Sequence, residues 1–207
     1  MPDLSFEQRF GFLQGKIICG VDEVGRGPLA GPVVAAAAVL PSDLPPEISS
    51  RIQDSKKMSL RQREEIQPLL LECGVRVSVA EASVEEIDEI NILQASLLAM
   101  RRAVEGLGLA VDMALIDGNR CPKLSCPATP IVKGDDKCLS IAAASIVAKV
   151  TRDRMMIRLA DDHPGYGWER NMGYGTAEHL DALRRIGVTK WHRVSFAPVR
   201  EIELLTA

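Results

Sequence analysis

Lys16-Ile-Ile-Cys-Gly-Val-Asp22 decides the fold: a near-continuous apolar run that ends on a carboxylate. Such a run reads as a short, fully buried strand, the kind found at the centre of an α/β sheet. A Gly/Pro-rich turn follows, Gly25-Arg-Gly-Pro-Leu-Ala-Gly-Pro32, and then a second apolar run from Val33 to Leu40. So short a connection predicts an antiparallel pair, because a parallel crossover usually needs a whole helix.

Outward from that pair, Pro41 to Pro46 reads as loop, Leu60 to Cys73 as helix and Val75 to Ala80 as a half-exposed strand. From Val84 onward Ile87, Ile90, Leu93, Leu97, Met100 and Val104 recur at steps of three and four, the period of a helix. Ser83 with Glu86 forms a capping box at its start, and Gly106 and Gly108 mark its stop. Ala110 to Ile116 is a further buried strand, ending at Asp117-Gly118. Pro122 to Pro130 reads as loop, Ile131 to Lys133 as a short extended piece, and Ser140 to Ala160 as a long helix. Pro164 to Gly175 reads as loop, and Thr176 caps a short helix running to Ile186. Strands and helices in this mixture define an α/β chain, with a helical C-terminal appendage after Ala160.

The chain has 207 residues, 46% of them hydrophobic, enough to fill the core of one domain. Its net charge of −3 taken whole argues against a nucleic-acid partner. The distribution argues differently. Residues 1–122 carry 12 Lys/Arg against 18 Asp/Glu, and residues 123–207 carry 13 against 10, so an acidic front (−6) precedes a basic back (+3). The basic residues of the back, Lys149, Arg152, Arg154, Arg158, Arg170, Arg184, Arg185, Lys190 and Arg193, are candidates to face a duplex. No apolar stretch is long enough to cross a bilayer and the first residues do not form a signal peptide, so a cytoplasmic protein with no membrane contact is expected. Five scattered cysteines suit reduced thiols, and Cys121 and Cys126 lack a second Cys or His pair to complete a zinc site. Aromatics at 4% exclude an aromatic stacking platform as the main mode of nucleic-acid contact.

Carboxylates stand where the apolar segments end: Asp22-Glu23, Asp117, and Asp135 just ahead of the Ser140 helix. Ligand crevices in α/β sheets form at strand ends, and acids crowded there repel unless protonated or bridged by a cation. All-oxygen ligation points to Mg²⁺ or Mn²⁺. Each acid taken singly reads more readily as a turn cap, and it is four of them at such boundaries that shift the balance. The glycine turn is off by one residue from a dinucleotide-binding loop and leads into a strand instead of a helix, which disfavours a nucleotide cofactor. It serves either as a plain hairpin turn or as backbone that can approach a ligand closely.

Gly20-Val-Asp-Glu-Val-Gly-Arg-Gly-Pro-Leu-Ala-Gly-Pro-Val-Val-Ala-Ala-Ala36 resembles the signature of the type 2 ribonucleases H, specifically the bacterial ribonuclease HII family. Further blocks match in the family's order: Asp54-Ser-Lys-Lys57, Ile90 to Met100, Ile116-Asp-Gly-Asn119, Val132 to Asp153, Gly173-Tyr-Gly-Thr-Ala-Glu-His179 and Val194 to Val199. The resemblance implies a ribonuclease H-like fold, a mixed central sheet flanked by helices, as one domain over residues 17–207. Within it a core spans about 17–159 and a helical substrate-binding segment about 160–207, with residues 1–16 a short extension. It implies metal binding and catalysis by Asp22, Glu23, Asp117 and Asp135, with the neighbouring Asp136 an alternative to Asp135 and a departure from the family's usual small residue. Asp153, between two arginines, is the weaker candidate and reads as a structural ion pair. It further implies that Gly25, Arg26 and Gly27 read a ribose 2′-hydroxyl, the group that separates RNA from DNA. Tyr174 is implied to stack on the following deoxyribose. Lys56 and Lys57 are either phosphate contacts or a solvated basic patch.

The activity so implied is hydrolysis of RNA/DNA hybrids and incision 5′ of single ribonucleotides in duplex DNA, dependent on Mn²⁺ or Mg²⁺, by a monomer with no protein partner evident. His163, His179 and His192 are read as structural. The rivals are another nuclease of the same fold without the Gly-Arg-Gly turn, a non-catalytic nucleic-acid-binding module, and a cofactor-dependent oxidoreductase.

Overall fold

The computed structural model describes residues 1–206. Five strands, β1 (Ile18–Val24), β2 (Val33–Val39), β3 (Arg76–Ala82), β4 (Met113–Asp117) and β5 (Ala128–Ile131), form one sheet in the order β3-β2-β1-β4-β5. β1 pairs antiparallel with β2 and parallel with β4; β2–β3 is antiparallel and β4–β5 parallel, so the sheet is mixed. The helices are α1 (Ser5–Arg9), α2 (Pro46–Ser49), α3 (Leu60–Glu72), α4 (Val84–Gly106), α5 (Leu139–Asp162), α6 (Trp168–Asn171), α7 (Ala177–Ile186) and α8 (Ala197–Thr206).

The core is set by β2, whose four consecutive alanines alternate between two helical layers. Ala36 and Ala38 face α3 and α5, packing with Ile66, Leu70, Ala143 and Ile146. Ala35 and Ala37 face α4, packing with Ala95, Ala99 and Ala103. Small residues on both sides bring helix and sheet close together. Closest of all is Gly20 on β1, where a Cβ would lie 2.2 Å from the Ile141 amide nitrogen of α5. Only glycine fits there, and the contact seats the start of α5 two residues from Asp22.

The α4 period runs unbroken in sequence, but the helix breaks at Asn91, which has φ 67°. Its Oδ1 accepts from the amides of Leu93 and Gln94, so it caps the second segment. Asparagine tolerates positive φ better than other side chains, and an apolar count does not register the break. β4 starts at Met113 instead of Ala110. β5 begins inside the stretch expected as loop and ends at Ile131, the first residue of the piece expected to be extended. Ala128-Thr-Pro-Ile131 is short and carries a proline, permitted here because the strand is at the sheet edge. The loop expected over Pro164 to Gly175 also holds a short helical turn, α6, and another, α2, begins where the Pro41 to Pro46 loop ends.

The tail contains no strand among the described residues and folds as α6, α7 and α8 around a core of Trp168, Tyr166, Leu183 and Val199. Leu29 and Ala30, from the β1–β2 turn, sit in that same core. The appendage is therefore built around the glycine turn. No helix among the described residues is long and apolar enough to cross a membrane.

Candidate active site

Asp22 and Asp117 are brought together by strand register. Val21 pairs with Ile116 across the parallel β1–β4 ladder, so the next residues on each strand are Asp22 and Asp117. Glu23 follows on β1, and one oxygen from each of Asp22, Glu23 and Asp117 falls within 4.8 Å of the others. Asp22 Oδ1 accepts from the Glu23 amide at 2.7 Å, and Asp117 Oδ1 accepts from the Gly134 amide at 2.7 Å. Glu23 and Asp117 line a small cleft with Arg26, Ser96, Met100 and Asn119.

The electrostatics of this cluster are those of charge lacking compensation. Burial, then repulsion from Glu23 and Asp117, holds the Asp22 carboxyl well above the ordinary range. Burial pushes Glu23 up to about 7 despite the guanidinium of Arg26 at 3.4 Å, and burial raises Asp117 as well. Glu23 Oε2 is buried with no hydrogen-bond partner. An orphaned carboxylate oxygen beside two further carboxylates fits a hard divalent cation with oxygen ligands, such as Mg²⁺ or Mn²⁺.

Asp135 falls in an adjoining group. It lies in the turn Gly134–Asp136, and its carboxylate gathers with those of Asp54 and Asp136. Lys56 Nζ donates to Asp135 Oδ2 at 3.1 Å, while Lys57 pairs with Asp136. Both lysines are thus paired with carboxylates of this turn. Asp54, which sequence reasoning passed over as a site residue, caps the turn by accepting from the Lys56 amide at 2.9 Å. Its signal was the acid opening the Asp-Ser-Lys-Lys block. Asp153 is a buried ion pair, but its partners are Lys149 at 2.7 Å and Arg63 at 3.6 Å instead of its flanking arginines.

The glycine turn flanks the carboxylates. Gly25 has φ 95° and a Cβ on it would lie 2.1 Å from Arg152 Nε. Gly27 faces Tyr174, which is 45% exposed, so its ring stands open to solvent beside the turn instead of being buried. The Tyr174 carbonyl is fixed from behind by His179 Nδ1 at 2.9 Å. His179 Nε2 then accepts from Trp168 Nε1 at 3.0 Å and meets His192 Nε2 at 3.1 Å. His179 and His192 are buried, and His192 is lowered to about 3 by burial and by His179.

Two of the basic residues expected at the surface are not there: Arg152 and Arg193 are each 0% exposed. Arg154, Arg158, Arg170, Arg184, Arg185 and Lys190 are exposed, with Arg170 paired to Glu169 and Glu178.

The fold finds its match among solved structures. The ribonuclease H2 of Pyrococcus horikoshii OT3 superposes with a TM-score of 0.78 at 26% identity, covering 91% of this chain and 97% of that one. The fold is accordingly ribonuclease H-like, and the molecule is in class a nuclease. Residues 19–199 match the family model for ribonuclease HII. The ribonuclease HII of Paramagnetospirillum magneticum is 60% identical over 205 residues, spanning 99% of this chain and 100% of the relative. That of Rhodospirillum rubrum is 60% identical over 203 residues, spanning 97% and 91%. The chain belongs to the ribonuclease HII family, whose members cleave RNA in RNA/DNA hybrids.

Proposed function

We propose that this chain is a divalent-metal-dependent endonuclease that cuts the RNA strand of hybrids and incises 5′ of single ribonucleotides embedded in duplex DNA. What carries the reading is one juxtaposition: three carboxylates within 4.8 Å of one another, flanked by a glycine turn facing an exposed tyrosine ring. Acid cluster and sugar-reading loop together favour a ribonucleotide substrate over a general nuclease role.

Asp22, Glu23 and Asp117 would hold the cation, with Asp135 a fourth carboxylate once Lys56 exchanges it for a phosphate. Mg²⁺ or Mn²⁺ there supplies activation of water and neutralisation of charge at the scissile phosphate. The remaining work belongs to the chain. Main-chain amides of the Gly25–Gly27 turn bind the 2′-oxygen, which all-deoxy DNA lacks. The Tyr174 ring would stack on the sugar that follows and favour a deoxyribose there, which biases cutting toward an RNA-to-DNA junction without closing the site to hybrids. Lys56 and Lys57, paired with Asp135 and Asp136, would exchange those carboxylates for phosphate oxygens. Water adds to phosphorus, the P–O3′ bond breaks, and 3′-hydroxyl and 5′-phosphate ends result. The enzyme acts as a monomeric domain of residues 17–207 in the cytoplasm.

The test is cleavage of a DNA duplex containing one ribonucleotide, with Mg²⁺ or Mn²⁺ and with EDTA. Cutting is expected 5′ of the ribonucleotide, absent with EDTA, and abolished in Asp117→Asn with duplex binding retained. Undiminished cutting by Asp117→Asn overturns the site.

A further inference from the structure

Arg152 and Arg193 are the largest charged side chains fully buried in the molecule, and the mechanism above uses neither. Buried guanidinium groups normally meet carboxylates. These do not: their seven hydrogen bonds all end on main-chain carbonyls. Arg193 donates from Nη2 to Gly25 O at 2.6 Å and to Gly31 O at 2.7 Å, from Nη1 to Arg26 O at 3.1 Å, and from Nε to Gly31 O at 3.0 Å. Arg152 donates to the carbonyls of Ala30, Pro32 and Met172, each at 3.0 Å. Five of the loop's carbonyls, from Gly25 to Pro32, are thus turned inward onto two cations. Asp153, the carboxylate next in sequence to Arg152, is committed to Lys149 and Arg63.

Turning a carbonyl inward has a fixed consequence. In a planar trans peptide the C=O and the following N–H point in opposite directions. With Gly25 O and Arg26 O held by Arg193, the amides of Arg26 and Gly27 point away from it. Neither amide donates to a protein acceptor among the described residues. Both are free donors, and the Tyr174 ring lies 3.4 Å from where a Gly27 Cβ would be. The main chain braces the same geometry, since Arg193 N donates to Leu29 O at 2.9 Å and Leu29 N donates to Gly173 O at 2.7 Å.

We propose that Arg193 is the specificity-positioning residue of the ribose site: by holding the Gly25 and Arg26 carbonyls it aims the Arg26 and Gly27 amides at the 2′-oxygen, while Arg152 ties the same loop to the Tyr174 segment through Met172. The proposal deepens the reading of Gly25–Gly27 as the sugar reader and rests on it. Its content is that recognition of the 2′-hydroxyl, made by residues near position 26, is set by a side chain more than a hundred and sixty positions later. Lysine keeps the charge but not the fork that spans three carbonyls, so Arg193→Lys is not conservative here.

The experiment compares duplexes that are identical except for one ribonucleotide, measuring affinity with Ca²⁺ in place of the catalytic ion, and kcat and KM with Mg²⁺. Unaltered protein is expected to prefer the ribonucleotide duplex. Arg193→Lys is expected to lose about tenfold to a hundredfold of that preference, roughly one factor of ten for each misaimed hydrogen bond. Its affinity for all-deoxy duplex and its metal-induced thermal shift, which a merely destabilised fold would move, are expected to stay unchanged. A folded Arg193→Lys with full ribose preference overturns the proposal and leaves the site reading standing. No ribose preference in the unaltered protein overturns the site reading itself. A second measurement needs no variant: amide resonances of Arg26 and Gly27 in the unaltered protein should shift on binding the ribonucleotide duplex and not the all-deoxy one. Equal shifts with both duplexes overturn the proposal.

Discussion

The ring of Tyr174 stands against the bare face of Gly27: a Cβ built on that glycine would lie 3.4 Å from Tyr174 Cε1. That separation is ordinary van der Waals contact, so the loop and the tyrosine form the two sides of a slot that a methyl group would occupy. Two turns of chain far apart in sequence make the slot, and both are anchored in the core of the C-terminal appendage through Leu29 and Ala30.

The two outer glycines of the turn should therefore fail in different ways. Gly27→Ala meets no clash and its φ is not in the left-handed region, so the fold should be kept, with stability within about 1 kcal/mol of the parent. Incision at a single ribonucleotide should fall at least about tenfold, because the added methyl fills the slot. Gly25→Ala instead combines φ 95° with a Cβ 2.1 Å from Arg152 Nε. It should cost more than about 3 kcal/mol, combining backbone strain with displacement of a buried guanidinium. Thermal unfolding beside incision kinetics separates the two; a destabilised Gly27→Ala would count against the slot.

Why the sequence disclosed one side of this arrangement and hid the other is a matter of where charge normally sits. β1, β2 and the acid-ended β4 were legible because their apolar runs are unbroken and their ends are marked by Asp, Gly and Pro. The convergence of Asp22 with Asp117 was not, because it depends on the Val21–Ile116 register, which no local pattern encodes. Arg152 and Arg193 read as surface residues since buried arginine is rare, and main-chain carbonyls, which every residue carries, leave no signal as partners. The break at Asn91 was hidden by a continuous apolar period, and β5 by its proline.

Metal should stabilise this protein through the cluster it neutralises. Asp22, Glu23 and Asp117 repel one another without a cation. At about 100 times its Kd, a divalent ion binding only the folded chain adds about 2.7 kcal/mol. Differential scanning calorimetry should show a rise in Tm with Mg²⁺ or Mn²⁺ for the parent and a much smaller one for Asp22→Asn. Asparagine can still accept from the Glu23 amide, so metal-free Asp22→Asn should be at least as stable as the metal-free parent. An unaltered metal response in that variant would remove Asp22 from the ligand set.

Acid should loosen the appendage. His179 Nδ1 faces the Tyr174 carbonyl and must carry a proton, leaving Nε2 to accept from Trp168. His192 Nδ1 accepts from the Thr189 amide at 2.9 Å, so its own proton is on Nε2, directed at His179. Both rings are neutral in this chain of bonds. A histidine lowered from 6.5 to about 3 contributes stability that is fully present above pH 6.5 and is lost as pH falls toward 3, because the unfolded chain takes up the proton first. Unfolding followed by Trp fluorescence from pH 7 to pH 4 should show this decline, and His192→Asn should flatten it. Equal slopes in parent and variant would assign the acid sensitivity elsewhere.

The start of the chain should matter more to stability than its place outside the sheet suggests. α5 has Cys138 at its N-cap position and no side-chain cap of its own. Glu7 of α1 supplies one: its Oε1 accepts from the Ser140 amide at 2.8 Å and from the Ser140 hydroxyl at 2.6 Å, both buried. The same segment is fastened by Asp3 N to Lys137 O at 3.2 Å and Leu139 N to Asp3 O at 3.0 Å. Glu7→Ala leaves both Ser140 donors without an acceptor in a dry site, which costs about 1–3 kcal/mol. Glu7→Gln keeps an acceptor and should cost less. Burial raises the Glu7 carboxyl above its ordinary 4.5, so its contribution is greatest below that pH and shrinks as pH rises through the shifted value. Urea unfolding at pH 4.5 and pH 8 should therefore show a smaller parent-to-Gln difference at the higher pH. Because the amides of Gly134 and Cys138 lie in the turn that joins Asp117 to α5, Glu7→Ala should also weaken the metal-induced rise in Tm while leaving Arg26–Glu23 untouched.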